Sequence, residues 1–400
     1  MTAPADRRFP ALDGVRAFAA FGVVCTHVGF ISGRSLNDDL LGPVLARGDF
    51  GVALFFVLSG FLLYRPFALH LLTDSPAPRV GRFLWRRAVR IVPAMVLFVV
   101  ITLAFLTPFR VRASDYLQYL LLIQTYDHHD YDPNLAQLWT LTVEVSFYLF
   151  LPIVGSLAAR WRQSLSKVIA SQVVLLSVMA VLPALYNLWQ THYAPQSQAL
   201  LWLPGYTDWF AIGMALALLT SLPAGATVLP RLRATLRDWA AAAGTCWLIA
   251  GVVFMISTLP VGIPRTLSPA LFWQWTTQHT LYGISAFFLM LPLVLGEHPQ
   301  LDRILGSRIG RFGGNISYGV YLWHKPLLSK AQSALGYHDF DGRFFNLLIA
   351  TMVISVLAAS ASWYLIERPA LRYATVPWRR LSARQPGPIT PNTMADTHSS

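Results

Sequence analysis

The sequence predicts an all-α polytopic membrane bundle of about ten transmembrane helices, with both termini on the cytoplasmic side. Of its 400 residues, 55% are hydrophobic and only 12% are charged, and the mean hydropathy is +0.49. A single soluble domain of this length is far less apolar. Long uninterrupted apolar runs favour helices, because only helices and closed barrels satisfy their backbone groups in lipid.

Each predicted span is an apolar run close to the roughly 20 residues that a helix needs to cross the hydrocarbon. The second run is short, and we expect it to extend through Arg65, whose long side chain can reach the interface. In chain order the runs cover residues 11–31, 50–64, 91–109, 138–158, 168–188, 200–219, 239–259, 276–295, 312–332 and 345–366.

The distribution of Lys and Arg predicts the orientation, because short cytoplasmic loops retain basic residues. With the N-terminus inside, most basic residues lie on the inner side, whereas the outer loop holding Asp127, Asp130 and Asp132 is acidic. We therefore expect an even number of spans in a multi-pass protein of the cell (plasma) membrane. This bias also accounts for the net charge of +12, so no nucleic-acid partner is required.

The chain is predicted to hold one membrane domain, residues 1–373, followed by a disordered cytoplasmic tail, residues 374–400. The tail is rich in Pro, Ser and Thr, a composition typical of disorder. Arg16 in the first run argues against a cleavable signal peptide. Cys25 and Cys246 both fall in apolar runs, so neither a disulfide framework nor a metal site is predicted.

The first run contains Arg16 and, eleven residues later, His27. Such groups are costly at membrane depth and usually mark a substrate or ion path. At ~100° and ~1.5 Å per residue, eleven residues return to nearly the same helix face and separate the two groups by roughly 16 Å. One face of this helix therefore carries a cation near one membrane surface and an imidazole near the other.

The second run and the basic segment that leads into the third run carry further polar residues. Ser59 and Gly60 are small residues of the kind that let another helix or a ligand approach the backbone closely. Arg87 and Arg90 share one face at the start of the third helix, which suits the binding of a phosphate by charge-assisted hydrogen bonds. Positive-inside charge and contact with lipid headgroups explain the same arginines equally simply.

The fourth and ninth runs place more polar groups in the outer half of the membrane. Glu144 must be protonated, paired or hydrated at its depth, and we expect it to pair with His27; a structural clasp between two helices is the alternative. In the ninth run Ser317, Tyr321 and His324 recur at helical spacing, while Tyr318 lies to one side. Such a stripe is also typical of core packing.

Together these segments resemble the acyltransferase family 3 of membrane O-acyltransferases over nearly the whole chain. Many relatives have an Asp in the second motif where this chain has Ala53, and the chain resembles the stand-alone members that lack a fused extracellular hydrolase-like domain. In the family's order the matching motifs are LDGVRAFAAFGVVCTH, GVALFFVLSGFLL, FLWRRAVRIVP, LWTLTVEVSFYLFLP, ISYGVYLWHKP and the closing IERP.

The resemblance implies ten membrane helices and the transfer of an acyl group, commonly acetyl from acetyl-CoA, to a hydroxyl of a sugar, polysaccharide or natural product such as a macrolide. It carries the family's functional Arg and His onto Arg16 and His27, and its paired arginines onto Arg87 and Arg90. Acyl-CoA is then a co-substrate, with no permanently bound cofactor. The other partners are the hydroxyl-bearing acceptor and the lipid bilayer.

The mechanism that these residues suggest uses His27 as general base and Glu144 to orient it. Arg16, Arg87 and Arg90 would bind acyl-CoA. The residues expected to contact the acceptor or the oxyanion are Ser59, Tyr318, Tyr321 and His324. A covalent acyl intermediate on His27 or Ser59 is the mechanistic rival.

Two further alternatives remain open on the sequence alone. A membrane carrier exporting a metabolite or lipid-linked sugar would also need intramembrane charge, although the chain shows no clear internal repeat. Several tryptophans near the outer surface would form either an interfacial belt or a platform for sugars. They are Trp189, Trp202, Trp209, Trp273 and Trp275.

Overall fold

The computed structural model describes residues 8–108, 110–126, 132–159, 164–193, 198–223, 225–226, 228–259 and 271–374. The predicted tail, apart from Ala374, and residues 127–131 of the predicted outer loop lie outside these ranges. The α-helices of the described part are α1 (Ala11–Ile31), α2 (Leu41–Ala46), α3 (Phe50–Leu72), α4 (Val80–Ile101), α5 (Ala113–Leu120), α6 (Leu138–Ala159), α7 (Leu165–Tyr193), α8 (Thr207–Ser221), α9 (Pro230–Ala241), α10 (Ala243–Thr258), α11 (Phe272–Leu295), α12 (Pro299–Leu305), α13 (Arg308–Ala334), α14 (Phe344–Ser362) and α15 (Arg368–Tyr373). Short 3-10 turns cover Arg34–Leu36, Gln124–Tyr126, Pro133–Leu135, Gln198–Leu201 and Leu203–Tyr206, and π turns cover Thr102–Leu106 and Trp363–Glu367.

Every predicted span falls on a helix, but several boundaries differ. The second span does not end at Tyr64, because α3 continues through Pro66 to Leu72. The third begins at Val80, eleven residues before its predicted start, since the arginine-bearing first turns form an amphipathic helix that a hydropathy criterion excludes. The sixth breaks into two 3-10 turns before α8 begins at Thr207.

Seven helical segments of the described chain are long and apolar enough to cross a membrane. An eighth counts if α9 and α10, which are bent by 88° at Ala242, form one broken span. Helix α8 has only 15 residues, and α13 carries charged residues along its length. Length and composition thus support a polytopic helical bundle and single out seven or eight of the ten predicted spans, the other two being α8 and α13.

The outer surface of the bundle is apolar. Along α14 the side chains of Ile349, Val353 and Leu357 recur every four residues, and each is more than half exposed. In contrast, α3 is buried on nearly all sides. The outer helices expose apolar side chains, and they enclose a central helix. This arrangement is expected when lipid, and not water, surrounds the protein.

Helices α3 and α8 pack backbone against backbone. A Cβ atom at Gly60 would overlap the carbonyl oxygen of Phe210, and one at Gly213 would overlap that of Val57. The rings of Phe147 and Phe210 stack beside this contact with their centroids 4.0 Å apart. The close approach that the small residues of the second run predicted is therefore confirmed at Gly60.

We expect Gly60→Ala and Gly213→Ala each to destabilise the protein by about 1–3 kcal/mol, because the added methyl forces the two helices apart. The measurement is thermal unfolding in detergent, followed by tryptophan fluorescence. Gly251→Ala is the matched control, since nothing lies within 4 Å of a Cβ at that position of α10. If all three variants melted at the same temperature, the backbone contact would not contribute to stability.

The packing of α3 positions the elements that carry the polar residues. Helix α1 packs against α3 and α13, while α6 contacts both α3 and α4, and α4 also contacts α13. These five helices hold every site residue that the sequence predicts. The polar groups of distant segments therefore face one another inside the bundle.

Candidate active site

The helices α1, α3, α4, α6 and α13 enclose a cavity of about 110 Å³, which we call the arginine cavity. Each helix contributes polar side chains to its lining, so the segments that carry the sequence motifs meet here. The predicted site residues in the lining are Arg16, Ser59, Arg87, Arg90, Glu144, Tyr318 and Tyr321.

The arginine cavity has an excess of positive charge, because three guanidinium groups and one carboxylate line it. Arg16 forms an ion pair with Asp13 at 3.0 Å, one turn earlier on α1. Within the described residues, Arg87 and Arg90 have no carboxylate within ion-pairing distance, and the buried Nε of Arg87 has no hydrogen-bond partner. Two free guanidinium groups on one helix face can bind an anion such as a phosphate.

Glu144 is held on the opposite wall of the arginine cavity. Its carboxylate accepts a hydrogen bond of 2.7 Å from the Ser59 hydroxyl, and Tyr148 lines the same cavity one turn further along α6. The same carboxylate interacts electrostatically with Arg16 and Arg87. Glu144 therefore partly balances the arginines and orients Ser59.

A second cavity of about 600 Å³ adjoins the first, and we call it the histidine cavity. His27 and Lys325 line it together with side-chain amides and aromatic rings, and Val52 and Tyr321 line both cavities. The two cavities therefore lie next to each other at these two residues. The aromatic residues of its lining are Phe30, Trp139, Tyr206, Trp209, Trp275, Tyr282 and Tyr321.

His27 does not pair with Glu144, so this part of the prediction is wrong. The Nδ1 atom of His27 lies 2.9 Å from the carbonyl oxygen of Val23 and 3.3 Å from the Nε2 atom of His324. The depth estimate placed Glu144 and His27 at one height, but height along the membrane does not fix which way a side chain faces. Glu144 faces the arginine cavity, and His27 faces the histidine cavity.

The hydroxyl groups of Tyr318 and Tyr321 are both engaged with the protein. Tyr318 donates to the carbonyl oxygen of Ile91 at 3.2 Å, beside Arg90. Tyr321 accepts from Thr140 at 2.8 Å and donates to the carbonyl oxygen of Gln137 at 3.3 Å. In this arrangement the two tyrosines join α13 to α4 and α6 and help to shape the arginine cavity.

The family model described as an acyltransferase domain matches residues 9–366. The chain belongs to this acyltransferase family. The family resemblance predicted from the sequence motifs is thereby confirmed. No solved structure gives a significant match to the chain.

Among named relatives, this acyltransferase is 23% identical over 348 residues to the peptidoglycan O-acetyltransferase OatA of Listeria monocytogenes, covering 80% of this chain and 49% of that protein. It is 27% identical over 401 residues to Nodulation protein 10 of Rhizobium leguminosarum, covering 92% of this chain and 95% of that protein. The chain therefore spans about half the length of the peptidoglycan relatives that it matches. A multi-pass membrane acyltransferase accounts for both the fold and the relatives.

Two arginines of this acyltransferase were not singled out as site residues by the sequence. Arg8 and Arg65 line a third cavity of about 290 Å³, which shares Arg16 and Leu62 with the arginine cavity. Both were assigned only to cytoplasmic charge bias. Arg8 and Arg65 meet at this cavity because the start of α1 contacts the end of α3. No local sequence motif encodes that contact.

Four of the tryptophans lie in two different places. Trp209 and Trp275 stack on the two faces of His279, at centroid distances of 3.9 and 4.2 Å, and line the histidine cavity. Trp189 and Trp273 are about half exposed on the outside, as expected for an interfacial belt. Within the described residues, no cluster of three His, Cys, Asp or Glu side chains could hold a metal ion.

Proposed function

We propose that this acyltransferase moves an acyl group, acetyl in the first instance, from acyl-CoA to a hydroxyl of a sugar, polysaccharide or glycosylated natural product such as a macrolide, and that it does so in the plasma membrane. The observation that carries the proposal is the contact between two cavities of complementary chemistry. One is lined by arginines, and the other holds an imidazole beside aromatic and amide side chains.

The arginines of the first cavity are suited to the phosphates of the donor. Within the described part of the chain neither Arg87 nor Arg90 forms a direct ion pair, and a guanidinium binds a phosphate through two parallel hydrogen bonds. Arg16 continues the basic lining toward Arg8 and Arg65. An extended pantetheine arm that starts at these arginines then covers the roughly 16 Å along α1 from Arg16 to His27.

The histidine cavity is suited to the acceptor. Its aromatic rings offer flat apolar faces, and the amides of Gln137, Gln278 and Gln332 offer hydrogen bonds to hydroxyl groups. A volume of about 600 Å³ is in the range of small-molecule sites. The name of the Listeria relative assigns it a polysaccharide, peptidoglycan, which supports a carbohydrate acceptor for this chain.

The reaction is a direct transfer at His27. The Nε2 atom of His27 takes the proton of the acceptor hydroxyl while the oxygen attacks the thioester carbonyl. A carbon–oxygen bond forms, the carbon–sulfur bond breaks, and the proton passes to the departing thiolate to give CoA and the acyl ester. The donor reaches His27 past Val52 and Tyr321, which line both cavities.

The test is transfer by purified protein in nanodiscs, with radiolabelled acetyl-CoA and a panel of glycosylated macrolides and oligosaccharides. Label that appears in an acceptor with the intact protein, and not with heat-inactivated protein, supports the proposal and identifies the acceptor class. An acceptor that crosses the membrane of a proteoliposome unchanged, without transfer, would favour the carrier alternative.

The covalent rival is distinguished without any acceptor. If an acyl group passed through Ser59 or His27, labelled CoA would exchange into acetyl-CoA in the absence of acceptor. Direct transfer predicts no such exchange. Exchange through Ser59 is not expected, because its hydroxyl faces the arginine cavity, two helical turns along α3 from Val52, and not the histidine cavity. Exchange would therefore identify His27 as the acyl carrier.

A further inference from the structure

We propose that His324 is a positioning residue that holds His27 in its basic form and supports the charge that His27 acquires during transfer. This inference rests on the proposed role of His27 as general base. It replaces the expectation that His324 contacts the acceptor or the oxyanion.

His324 is inaccessible to any substrate. It is fully buried on α13, and it lines neither of the two cavities. Its Nδ1 atom lies 2.7 Å from the carbonyl oxygen of Tyr321. A carbonyl only accepts hydrogen bonds, so in the neutral ring Nδ1 carries the proton and Nε2 is left with a lone pair.

That lone pair is directed at His27. The Nε2 atom of His324 lies 3.3 Å from the Nδ1 atom of His27, and the two ring centroids are 5.0 Å apart. Since the Val23 carbonyl also accepts from His27 Nδ1 at 2.9 Å, this nitrogen carries the proton and donates to two acceptors. The other nitrogen of His27, Nε2, is then unprotonated and is free to accept a proton in the histidine cavity.

The second imidazole also has a role during the reaction. When His27 takes up a proton at Nε2, its ring becomes cationic and its Nδ1–H becomes a stronger donor. His324 supplies an acceptor whose own proton is fixed by the Tyr321 carbonyl. A neutral acceptor serves here at lower cost than a carboxylate, because a buried anion would have to be desolvated in every state of the enzyme.

The backbone and the neighbouring side chains restrict the pair further. Tyr321, whose carbonyl orients His324, has its hydroxyl held by Thr140 and Gln137 and lines both cavities. One residue thus shapes the route to His27 and orients the group behind it. The chain of contacts runs from Tyr321 through His324 to His27.

The experiment compares His324→Leu with His324→Gln in the full-length protein in nanodiscs. Leu fills similar space without an acceptor, whereas the Gln side-chain oxygen can accept from His27 Nδ1. We expect His324→Leu to lower kcat about 100-fold with KM for acetyl-CoA within about twofold, and His324→Gln to recover most of the rate. The matched control is His298→Gln, because His298 bonds the carbonyl oxygen of Ala240 at 2.7 Å and lines neither cavity.

A second measurement is independent of activity. In protein labelled with ¹⁵N-histidine, we expect a nitrogen–nitrogen cross-peak in solid-state NMR between His27 Nδ1 and His324 Nε2, which His27→Ala and His324→Gln both remove. Absence of this cross-peak, or equal rates for the Leu and Gln variants, would overturn the proposal. If the wild-type protein transferred no acyl group but showed the cross-peak, the proposed function would fail while the pairing stood.

Discussion

Replacing His27 by alanine is expected to lower the rate of acyl transfer by about a thousandfold or more. The loss follows because a general base contributes roughly 10²–10⁴ to the rate and the variant has no other imidazole in the same position. The partner ring, His324, is fully buried and cannot replace it. The measurement is kcat with labelled acetyl-CoA and the best acceptor of the panel.

The same variant should still bind the donor. His27 lines the histidine cavity and not the arginine cavity, so the dissociation constant for CoA is expected to stay within about twofold of the wild-type value. Retained binding with lost transfer shows that the protein is folded. Transfer at a near-normal rate would remove His27 from the catalytic role.

The combined change of Arg87 and Arg90 to glutamine is expected to raise the dissociation constant for acetyl-CoA by about 100-fold or more. Each charge-assisted hydrogen bond contributes roughly 1.5–3 kcal/mol, and the buried Nε of Arg87 has no hydrogen-bond partner in the described part of the chain. Acceptor affinity should not change, since neither arginine lines the histidine cavity. Equilibrium binding of labelled acetyl-CoA measures the effect.

The matched control removes the same charge from the same helix. Arg82 and Arg86 are exposed on α4 and do not line the arginine cavity, so Arg82→Gln with Arg86→Gln should leave donor binding within about threefold. Equal losses in the two double variants would assign all four arginines to general attraction or to membrane orientation. A loss confined to Arg87 and Arg90 would identify a phosphate site.

Much of the candidate site could be predicted because its residues follow helical spacing. Arg16 and His27 lie at the two ends of one face of α1, as the eleven-residue interval requires, and Arg87 and Arg90 share one face of α4. Every apolar run that hydropathy identified falls on a helix. Hydropathy failed at the start of α4, where basic residues lie on one side of an otherwise regular helix.

The pairing of polar groups could not be predicted in the same way. Glu144 and His27 were matched by depth alone, whereas the rotation of α6 about its axis directs Glu144 to Ser59. That rotation depends on packing between segments 85 residues apart in sequence. His324 was expected at a substrate, but the packing of α13 against α1 places it behind His27.

The contact at Gly60 and Gly213 has a mechanical consequence. Main-chain atoms of α3 and α8 are in direct contact, so no side chain between them can change rotamer to create space. The two helices therefore behave as one rigid unit. Ser59 and Val52 both belong to α3 and are therefore part of this rigid unit. Any motion that widens the route between the cavities must therefore come from the opposite wall, through rotation of Tyr321 or displacement of α4. The pair α3 and α8 stays fixed, and the substrates are aligned against it.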